Sequence, residues 1–332
     1  MKNPGNSLGN YNPSVFATDA ARQVGAYATQ LHTFNEAFYN MDNYMLRSLG
    51  DRVLMKFFNR YASANVEQLY ANIENDTYQK EAWAKPYATF ESVGLGNLDV
   101  DNTVYGTFFG TNTKIEAMNN GWDTSWGVFG AYNGSKQDYG NNSISQAGAT
   151  VGFVKEFYKR NFFTGVTVSL GASIADASTM YGKDSMNMLS LGIANKTGYN
   201  FEFKDGKVIL QPNILVGYSY IYTPDYTNAS DVEIQSEPFS AVHIEPGLKV
   251  ITKTKCGARP YAFLNVAFNA LDSSKVKVND IQLPNLSIDP YIRWGVGVQK
   301  TWKERFTSFI QTNITHGGRN GIGLQAGFSW KI

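Results

Sequence analysis

The sequence predicts an all-β protein: a 12-stranded antiparallel transmembrane β-barrel with an N-terminal α-helix inserted in the pore. Three observations predict this fold. Apolar residues recur at every second position from Trp83 to Ile332. The alternating segments are about 9–18 residues long, whereas globular strands average about five or six. Short connections alternate with long ones along the chain, which is the pattern of transmembrane barrels.

The region before the alternating segments is predicted to be helical. Its apolar residues are spaced by three or four, as on one face of a helix: Phe34, Phe38, Met41, Met45 and Leu49. Asp19 is a candidate N-cap and Gly50 a candidate C-terminal stop, which gives a helix over about 19–50. A second, shorter helical stretch is expected within 52–75.

The remainder divides into twelve predicted strands: 83–92, 103–115, 122–133, 144–158, 161–174, 186–203, 208–221, 241–252, 259–269, 289–302, 305–316 and 321–332. The tenth strand illustrates the pattern, because Ile292, Trp294 and Val296 share one face while Arg293, Gly295 and Gly297 share the other. About nine to eleven tilted residues cross a bilayer, so each strand is long enough to span it.

The connections agree with this topology. If the first strand runs outward, the inner connections should be short, and 158–161, 204–207 and 303–304 are short. The outer connections are then expected to be long and mostly polar: 94–102, 134–143, 175–185, 223–240 and 270–288. Two links fit less well, because 116–121 is long for an inner turn and 317–321 is short for an outer loop.

The apolar face of each strand is expected to contact lipid, since a Lys or Arg there costs about 2–4 kcal/mol near the midplane. The opposite face should line the pore. The candidate pore-lining residues are Lys85, Glu156, Gly192, Lys196, Glu245, Gly247, Lys249, Arg293, Gly295, Gly297 and Gln299. The many glycines on this face either ease the curvature of the barrel or make room for the inserted helix.

Composition excludes several other classes. Charged residues are only 17% of the chain, which disfavours a soluble all-β sandwich, and the net charge of +1 gives no electrostatic argument for nucleic acid. The single cysteine, Cys256, excludes an intrachain disulfide and a cysteine-rich metal site. No group of residues has metal-ligand spacing, and no cofactor is expected. No secretory signal begins the sequence, so an exported protein with this N-terminus would be the rear part of a longer chain.

Three segments resemble a known family, the C-terminal translocator domains of autotransporters (type V secretion). Residues 83–112, "WAKPYATFESVGLGNLDVDNTVYGTFFGTN", are similar to the first hairpin of that family. Residues 289–330, from "DPYIRWGVGVQKTW" to "GIGLQAGFSW", resemble its last three strands almost position by position. "MLRSLGDR" at 45–52 is similar to the helical segment that precedes the barrel.

The resemblance implies a protein of the bacterial outer membrane that anchors an N-terminal passenger and helps to export it to the cell surface. Residues 1–82 would be the end of the passenger or a linker, with the helix threaded through the pore, and 83–332 the barrel. The plug-helix residues would be Asn43, Arg47, Gly50 and Asp51. Arg47 and Asp51 would pair with lumen residues among Lys85, Glu156, Glu245, Lys249 and Arg293.

The resemblance also implies partners. They are the passenger itself, outer-membrane lipid and lipopolysaccharide, the barrel-assembly machinery and periplasmic chaperones. The assembly machinery would read the apolar face of the last strand: Leu324, Ala326, Phe328, Trp330 and Ile332. Members of the family commonly end on an aromatic residue, a place that Ile332 takes here.

Three other functions fit the sequence less well. The main alternative is a substrate-specific outer-membrane channel, although porins usually begin with a strand rather than a long helix. A 12-stranded phospholipase would need a lipid-side histidine such as His316 with a serine and an asparagine. Self-cleavage through Asn35, Asn40 or Asn43 is disfavoured because the helix lacks an Asn–Asn pair. The domain is therefore predicted not to be an enzyme.

Overall fold

The computed structural model describes residues 80–332, except for 96–97, 140–141, 180–181, 205–206, 230, 274, 279–280, 283–286 and 303–305. The predicted helices at about 19–50 and 52–75, and with them the plug-helix residues, lie outside the described residues and stay predictions. Within the described part, no helix is long and apolar enough to cross a membrane.

Twelve long strands form the barrel, and each corresponds to one strand predicted from the sequence. They are β1 (Glu81–Leu95), β2 (Leu98–Asn112), β3 (Asp123–Tyr139), β4 (Asn142–Lys159), β5 (Phe162–Thr179), β6 (Gly182–Tyr199), β7 (Val208–Tyr222), β8 (Phe239–Thr252), β9 (Ala258–Ser273), β10 (Tyr291–Trp302), β11 (Phe306–Gly317) and β12 (Arg319–Lys331). Two short strands, Glu116–Ala117 and Phe201–Phe203, extend the same sheet by pairing with β3 and β7.

The sheet is closed. Each strand pairs antiparallel with the next in the sequence, and β12 pairs with β1, so the predicted 12-stranded antiparallel barrel is confirmed. The closing ladder runs from Glu81 opposite Lys331 to Val93 opposite Arg319, but it skips Lys85 and Pro86. Proline has no backbone N–H to donate, which accounts for an interruption at this place.

Apolar side chains cover the outer surface of the barrel, the reverse of a soluble protein. On β12, Leu324, Phe328 and Trp330 are 48%, 51% and 58% exposed, whereas Gln325 between them is 4% exposed. The same alternation recurs on the other strands, where exposed valine, leucine and aromatic side chains are interleaved with buried polar ones. This arrangement suits a cylinder that is surrounded by lipid and polar inside.

The two ends of the barrel differ. Both β1 and β12 have their chain-terminal residues at the end where the connections are mostly short, namely 160–161, 204–207, 253–257 and 303–305. The two longest connections, 223–238 and 274–290, are at the opposite end. Outer-membrane barrels place their short turns in the periplasm, so the end with the termini is the inner end and the other is the outer end.

Three of the five connections predicted to be long are strand instead. β1 runs to Leu95 and β2 resumes at Leu98, and only two residues likewise separate β3 from β4 and β5 from β6. The prediction of loops at 94–102, 134–143 and 175–185 is therefore wrong. On the outward face, these segments carry polar residues such as Asp99, Lys136 and Asp176 in place of apolar ones, which ends the apolar period. The backbone hydrogen bonds between strands continue regardless of side chain.

The two genuine long connections fold together at the outer end. Tyr226–Thr227, Glu233–Ser236, Val276–Val278 and Ile281–Gln282 form a small sheet of their own. Ile234, Val276 and Val278 of these strands form its buried apolar cluster. The predicted turn at 317–321 is also shorter than expected, because Gly318 alone separates β11 from β12. A Cβ on Gly318 would lie 2.0 Å from the carbonyl oxygen of Asp289, so only glycine fits there.

Candidate functional site: the barrel lumen

The inner wall of the barrel carries the charged residues. Every predicted pore-lining residue with a polar side chain is buried and alternates with exposed apolar neighbours: Lys85, Glu156, Lys196, Glu245, Lys249, Arg293 and Gln299. The glycines at 192, 247, 295 and 297 occupy the same face of their strands. Because burying an unpaired charge is costly, the contacts of these groups determine what the lumen can do.

The first cluster is an ion-pair network centred on Glu245 of β8. One carboxylate oxygen, Oε1, accepts hydrogen bonds from Nη2 of Arg293 on β10 and from Nδ2 of Asn265 on β9, the latter at 2.5 Å. The other oxygen, Oε2, lies 3.0 Å from Nε2 of His243. The second ring nitrogen of His243, Nδ1, is 2.8 Å from Oδ1 of Asn269. Three neighbouring strands are thus joined by one buried carboxylate.

The second cluster crosses five strands nearer the inner end. Nζ of Lys249 lies 4.5 Å from the centre of the Tyr261 ring, a cation–π contact. The Tyr261 hydroxyl donates to Oε1 of Gln311 at 2.9 Å. Nε2 of Gln311 in turn donates to Oε1 of Gln325 at 3.3 Å. The side chains of β8, β9, β11 and β12 therefore form a continuous polar path along the wall.

Gly297 of β10 leaves room for the Tyr261 side chain to reach Gln311 of β11. A Cβ at Gly297 would lie 2.4 Å from the ring of Tyr261, so the ring rests directly on the backbone of β10. Other inward aromatic rings cover glycines on adjacent strands in the same way: Phe129 over Gly152, Phe163 over Gly198, Phe263 over Gly295 and Phe309 over Gly327. These luminal glycines make room for neighbouring rings of the wall, a reason that neither sequence interpretation contained.

Further buried carboxylates make polar contacts toward each end of the lumen. At the inner end, the hydroxyls of Ser125 and Tyr158 both donate to Glu156, the latter at 3.0 Å. Near the outer end, Arg319 of β12 pairs with Glu91 of β1 at 3.1 Å, and Asn102 of β2 donates to the same carboxylate at 3.0 Å. This second ion pair bridges the closing pair of strands.

Beyond the ion pairs, the outer end of the lumen is apolar. Inward side chains from β1, β2 and β4–β8 form one buried cluster: Val93, Val100, Ile144, Ala175, Ala177, Met186, Met188, Ile221, Phe239 and Ala241. Ile288 of the connection 274–290 belongs to the same cluster, and Tyr226 of the other long connection packs against it. The lumen wall thus changes from polar in the middle to apolar at the outer mouth.

A closed barrel with an apolar exterior, short inner turns and a charged lumen is the geometry of an outer-membrane β-barrel. The model of the family described as Autotransporter beta-domain matches residues 82–313. The chain belongs to the autotransporter beta-domain family. This autotransporter β-domain is accordingly a translocator domain of the bacterial outer membrane.

A curated relative of this β-domain is the uncharacterised protein YaiT of Escherichia coli strain K12. The two are 22% identical over 252 residues, which cover 71% of this chain and 25% of YaiT. The matched segment thus spans about a quarter of that relative.

Three solved structures share the fold of this β-domain. The translocator domain of the autotransporter NalP from Neisseria meningitidis has a TM-score of 0.66 at 12% identity, over 85% of this chain and 99% of that one. The transport unit of AIDA-I from Escherichia coli has a TM-score of 0.65 at 12% identity, over 86% and 99%. The β-domain of the Bordetella autotransporter BrkA has a TM-score of 0.61 at 13% identity, over 76% and 100%.

The structure also shows where the other predicted residues of this β-domain lie. Leu324, Ala326, Phe328, Trp330 and Ile332 are all exposed on the outward, lipid-facing side of the last strand. His316 is exposed at the outer end of β11, opposite Ile292. Cys256 is exposed in the inner turn 253–257. Among the residues that the structure describes, no group of three or more His, Cys, Asp or Glu side chains is placed to hold a metal ion.

Sequence reasoning identified Glu245 and Arg293 as lumen residues but expected them to pair with Arg47 and Asp51. It missed their contact with each other, the contacts of His243 and Asn265 with Glu245, and the Glu91–Arg319 pair. The alternation on β8 and β9 places His243 and Asn265 inward and could have identified both. No signal in one sequence gives the stagger of three strands, and the stagger decides which inward side chains meet.

Proposed function

We propose that the passenger of this β-domain is joined at its N-terminal side and passes through the lumen, after which residues of about 19–50 remain there as a helix. The observation that supports this most directly is the position of Glu81. It begins β1 opposite Lys331 at the inner end, so the preceding chain starts beside the inner mouth of a polar lumen. A helix satisfies its own backbone hydrogen bonds, which suits a chain held in a confined pore.

In this proposal the helix contacts the wall through Asn43, Arg47, Gly50 and Asp51. Arg47 and Asp51 would add to the existing luminal clusters, since Glu245 and Arg293 already lie together in the middle of the wall. Arg47 lies in the last turn of the predicted helix and Asp51 directly follows its predicted stop at Gly50, so the two charges are close together along the chain. Arg47 could therefore contact a luminal carboxylate while Asp51 contacts a luminal cation.

The proposal includes no catalytic step. The domain would act by enclosing a path and by anchoring the passenger, and its partners would be those of barrel assembly. The exposed apolar face of β12, with Phe328 and Trp330, would be read by the barrel-assembly machinery after delivery by periplasmic chaperones. Outer-membrane phospholipid and lipopolysaccharide would then surround the exposed apolar surface.

A fusion experiment tests the export function. A small epitope with a signal peptide is joined ahead of residue 1, and its digestion by external protease is measured in intact cells. We expect a digested epitope and a protected, heat-modifiable barrel. The matched control carries the same epitope after Ile332, at the inner end, where it should resist protease. An upstream epitope that stays protected beside a correctly folded barrel would contradict export and favour the alternative, a substrate-specific channel.

A further inference from the structure

An apolar groove crosses the lipid-facing surface of β1–β5. Its volume is about 800 Å³, within the range of about 300–1,000 Å³ that small-molecule sites occupy. The lining includes Phe109, Val128, Gly130, Val151, Phe153 and Leu170. Gly130 contributes no side chain, and the Phe109 ring lies beside it, since a Cβ there would be 2.9 Å from that ring. The absence of a side chain at Gly130 therefore leaves space that forms part of the groove.

A basic and aromatic edge adjoins the groove on its inner side. The outward positions of β4 run from Val151 through Phe153 to Lys155, in the direction of the inner end. Trp126 of β3 is directly opposite Lys155 in the register. Its ring stacks on that of Phe153 with 6.0 Å between centres. The Lys155 ammonium and the Trp126 indole thus lie at the outward-facing positions next to the residues that line the groove.

Lys155 is available for an external anion. Its Nζ lies 5.8 Å from the centre of the Phe157 ring. Among the described residues, no carboxylate lies within ion-pair distance of Lys155. Lys159 and Arg160 are exposed in the direction of the inner turn and add positive charge to the same edge. The positive charge of this edge therefore complements a negative lipid headgroup in the inner leaflet of the outer membrane.

We propose that the groove and Lys155 together bind one anionic phospholipid of the inner leaflet. One acyl chain fills the groove, the phosphate lies at the Lys155 ammonium, and Trp126 lies at the interface between the two. Lipid tails are as apolar as the wall, so the hydrophobic effect does not select this lipid. Filling the groove gains dispersion contacts that a flat wall lacks, and the cation selects a negative headgroup.

Native mass spectrometry of the full chain in detergent tests the proposal. Phosphatidylglycerol, phosphatidylcholine and lipid A are added separately and in competition, and the retained lipid is counted. The variants are Lys155→Gln, which removes the headgroup contact, and Val151→Trp, which fills the groove from an exposed position. Lys300→Gln is the matched control. Lys300 also faces outward beside a tryptophan, Trp302, with Nζ 4.1 Å from the ring centre, but it lies on β10, six strands away.

We expect the unmodified chain to retain one phosphatidylglycerol in preference to phosphatidylcholine. Lys155→Gln should lower that preference about fivefold, the effect of one cation near an anionic surface. Val151→Trp should reduce retention of both phospholipids, and Lys300→Gln should leave it unchanged. Equal retention of the two phospholipids, equal losses in Lys155→Gln and Lys300→Gln, or displacement of phosphatidylglycerol by lipid A would each overturn the proposal. Heat modifiability on gels identifies the folded variants to be compared.

Discussion

Arg293 of β10 donates a hydrogen bond to Glu245 of β8 and so forms a buried ion pair across the intervening strand β9. Most sheet contacts connect adjacent strands, but this pair connects alternate ones. It can do so because Asn265 of β9, which lies between them, donates to the same carboxylate rather than separating the two partners.

Removing one partner of this pair should destabilise the barrel strongly. In Arg293→Gln, the Glu245 carboxylate stays buried without its cation, at a cost of about 3–5 kcal/mol. The folded fraction in urea, measured by heat modifiability, should show this loss. Lys136→Gln is the control, because the Lys136–Asp138 pair at 3.2 Å is exposed and such pairs contribute about 0–1 kcal/mol. Equal stabilities of the two variants would mean that the luminal pair contributes no more than a surface pair.

Gly297→Ala should destabilise the barrel through a clash with Tyr261. The added Cβ would lie 2.4 Å from the ring, and overpacking of this kind costs about 1–3 kcal/mol. Gly94→Ala is the control, since the nearest atom to its new Cβ would be 3.9 Å away. Gly297→Ala should cost less in a Tyr261→Ala background than in the unmodified chain, as measured by urea unfolding. Additive effects of the two substitutions would show that the ring and the glycine act independently.

Replacing Phe328 and Trp330 together by Asp should abolish assembly of the barrel in the outer membrane. The physical reason is the loss of the apolar face that the assembly machinery is proposed to read. Folded barrel in isolated outer membranes is the measurement. The control replaces Trp294 and Val296 of β10 by Asp, since they are equally exposed to lipid. If both double variants assemble to the same extent, lipid solvation explains the effect and the last strand has no special role.

Deleting residues 1–60 should increase the single-channel conductance of the barrel in planar bilayers. The predicted helix over about 19–50 would then no longer occupy the lumen, so ions would pass more freely. Deleting only residues 1–18 leaves that helix intact and should not change the conductance. Equal conductance of the full chain and the longer deletion would reject a luminal helix.

The thiol of Cys256 should report the orientation of the barrel. It is exposed in the turn 253–257, so a membrane-impermeant maleimide should label it in permeabilised cells but not in intact ones. The Thr254 hydroxyl, 3.1 Å from Sγ, lowers the pKa of Cys256. Because the thiolate is the reactive form, labelling should begin at a lower pH than for an ordinary thiol. Thr254→Val should raise the pKa and shift the pH profile of labelling upward. Labelling of intact cells would contradict the assigned orientation.

Much of the fold was predictable because the membrane imposes a simple pattern. Because one face of each strand contacts lipid and the other faces a polar lumen, apolar and polar side chains alternate through each spanning segment. All twelve strands could therefore be located. Outside the bilayer that constraint ends, which is why the strand residues at 134–143 and 175–185 were predicted to be loops. Whether a helix precedes the barrel in the pore remains a prediction, because residues 1–79 lie outside the described residues.

The luminal site was predictable only as a set of inward residues. Alternation alone predicts that Lys249 and Gln299 face inward, and the structure has both side chains buried. Which side chains meet depends on the stagger between strands and on rings that cross a neighbouring glycine, as Tyr261 crosses Gly297. The apolar cluster at the outer mouth was missed for a related reason, since it combines single residues from many strands with Ile288 from a distant connection.

The interruption at Pro86 has a mechanical consequence. Every other pair of neighbouring barrel strands is also linked covalently by the connection between them. Within the described part of the chain, β1 and β12 are held side by side by hydrogen bonds and by contacts such as Arg319 with Glu91. Opening there would break no covalent bond, and the gap in the ladder shortens the run of bonds that must part together. Under pulling force or transient heating, we expect the cylinder to split along this line first.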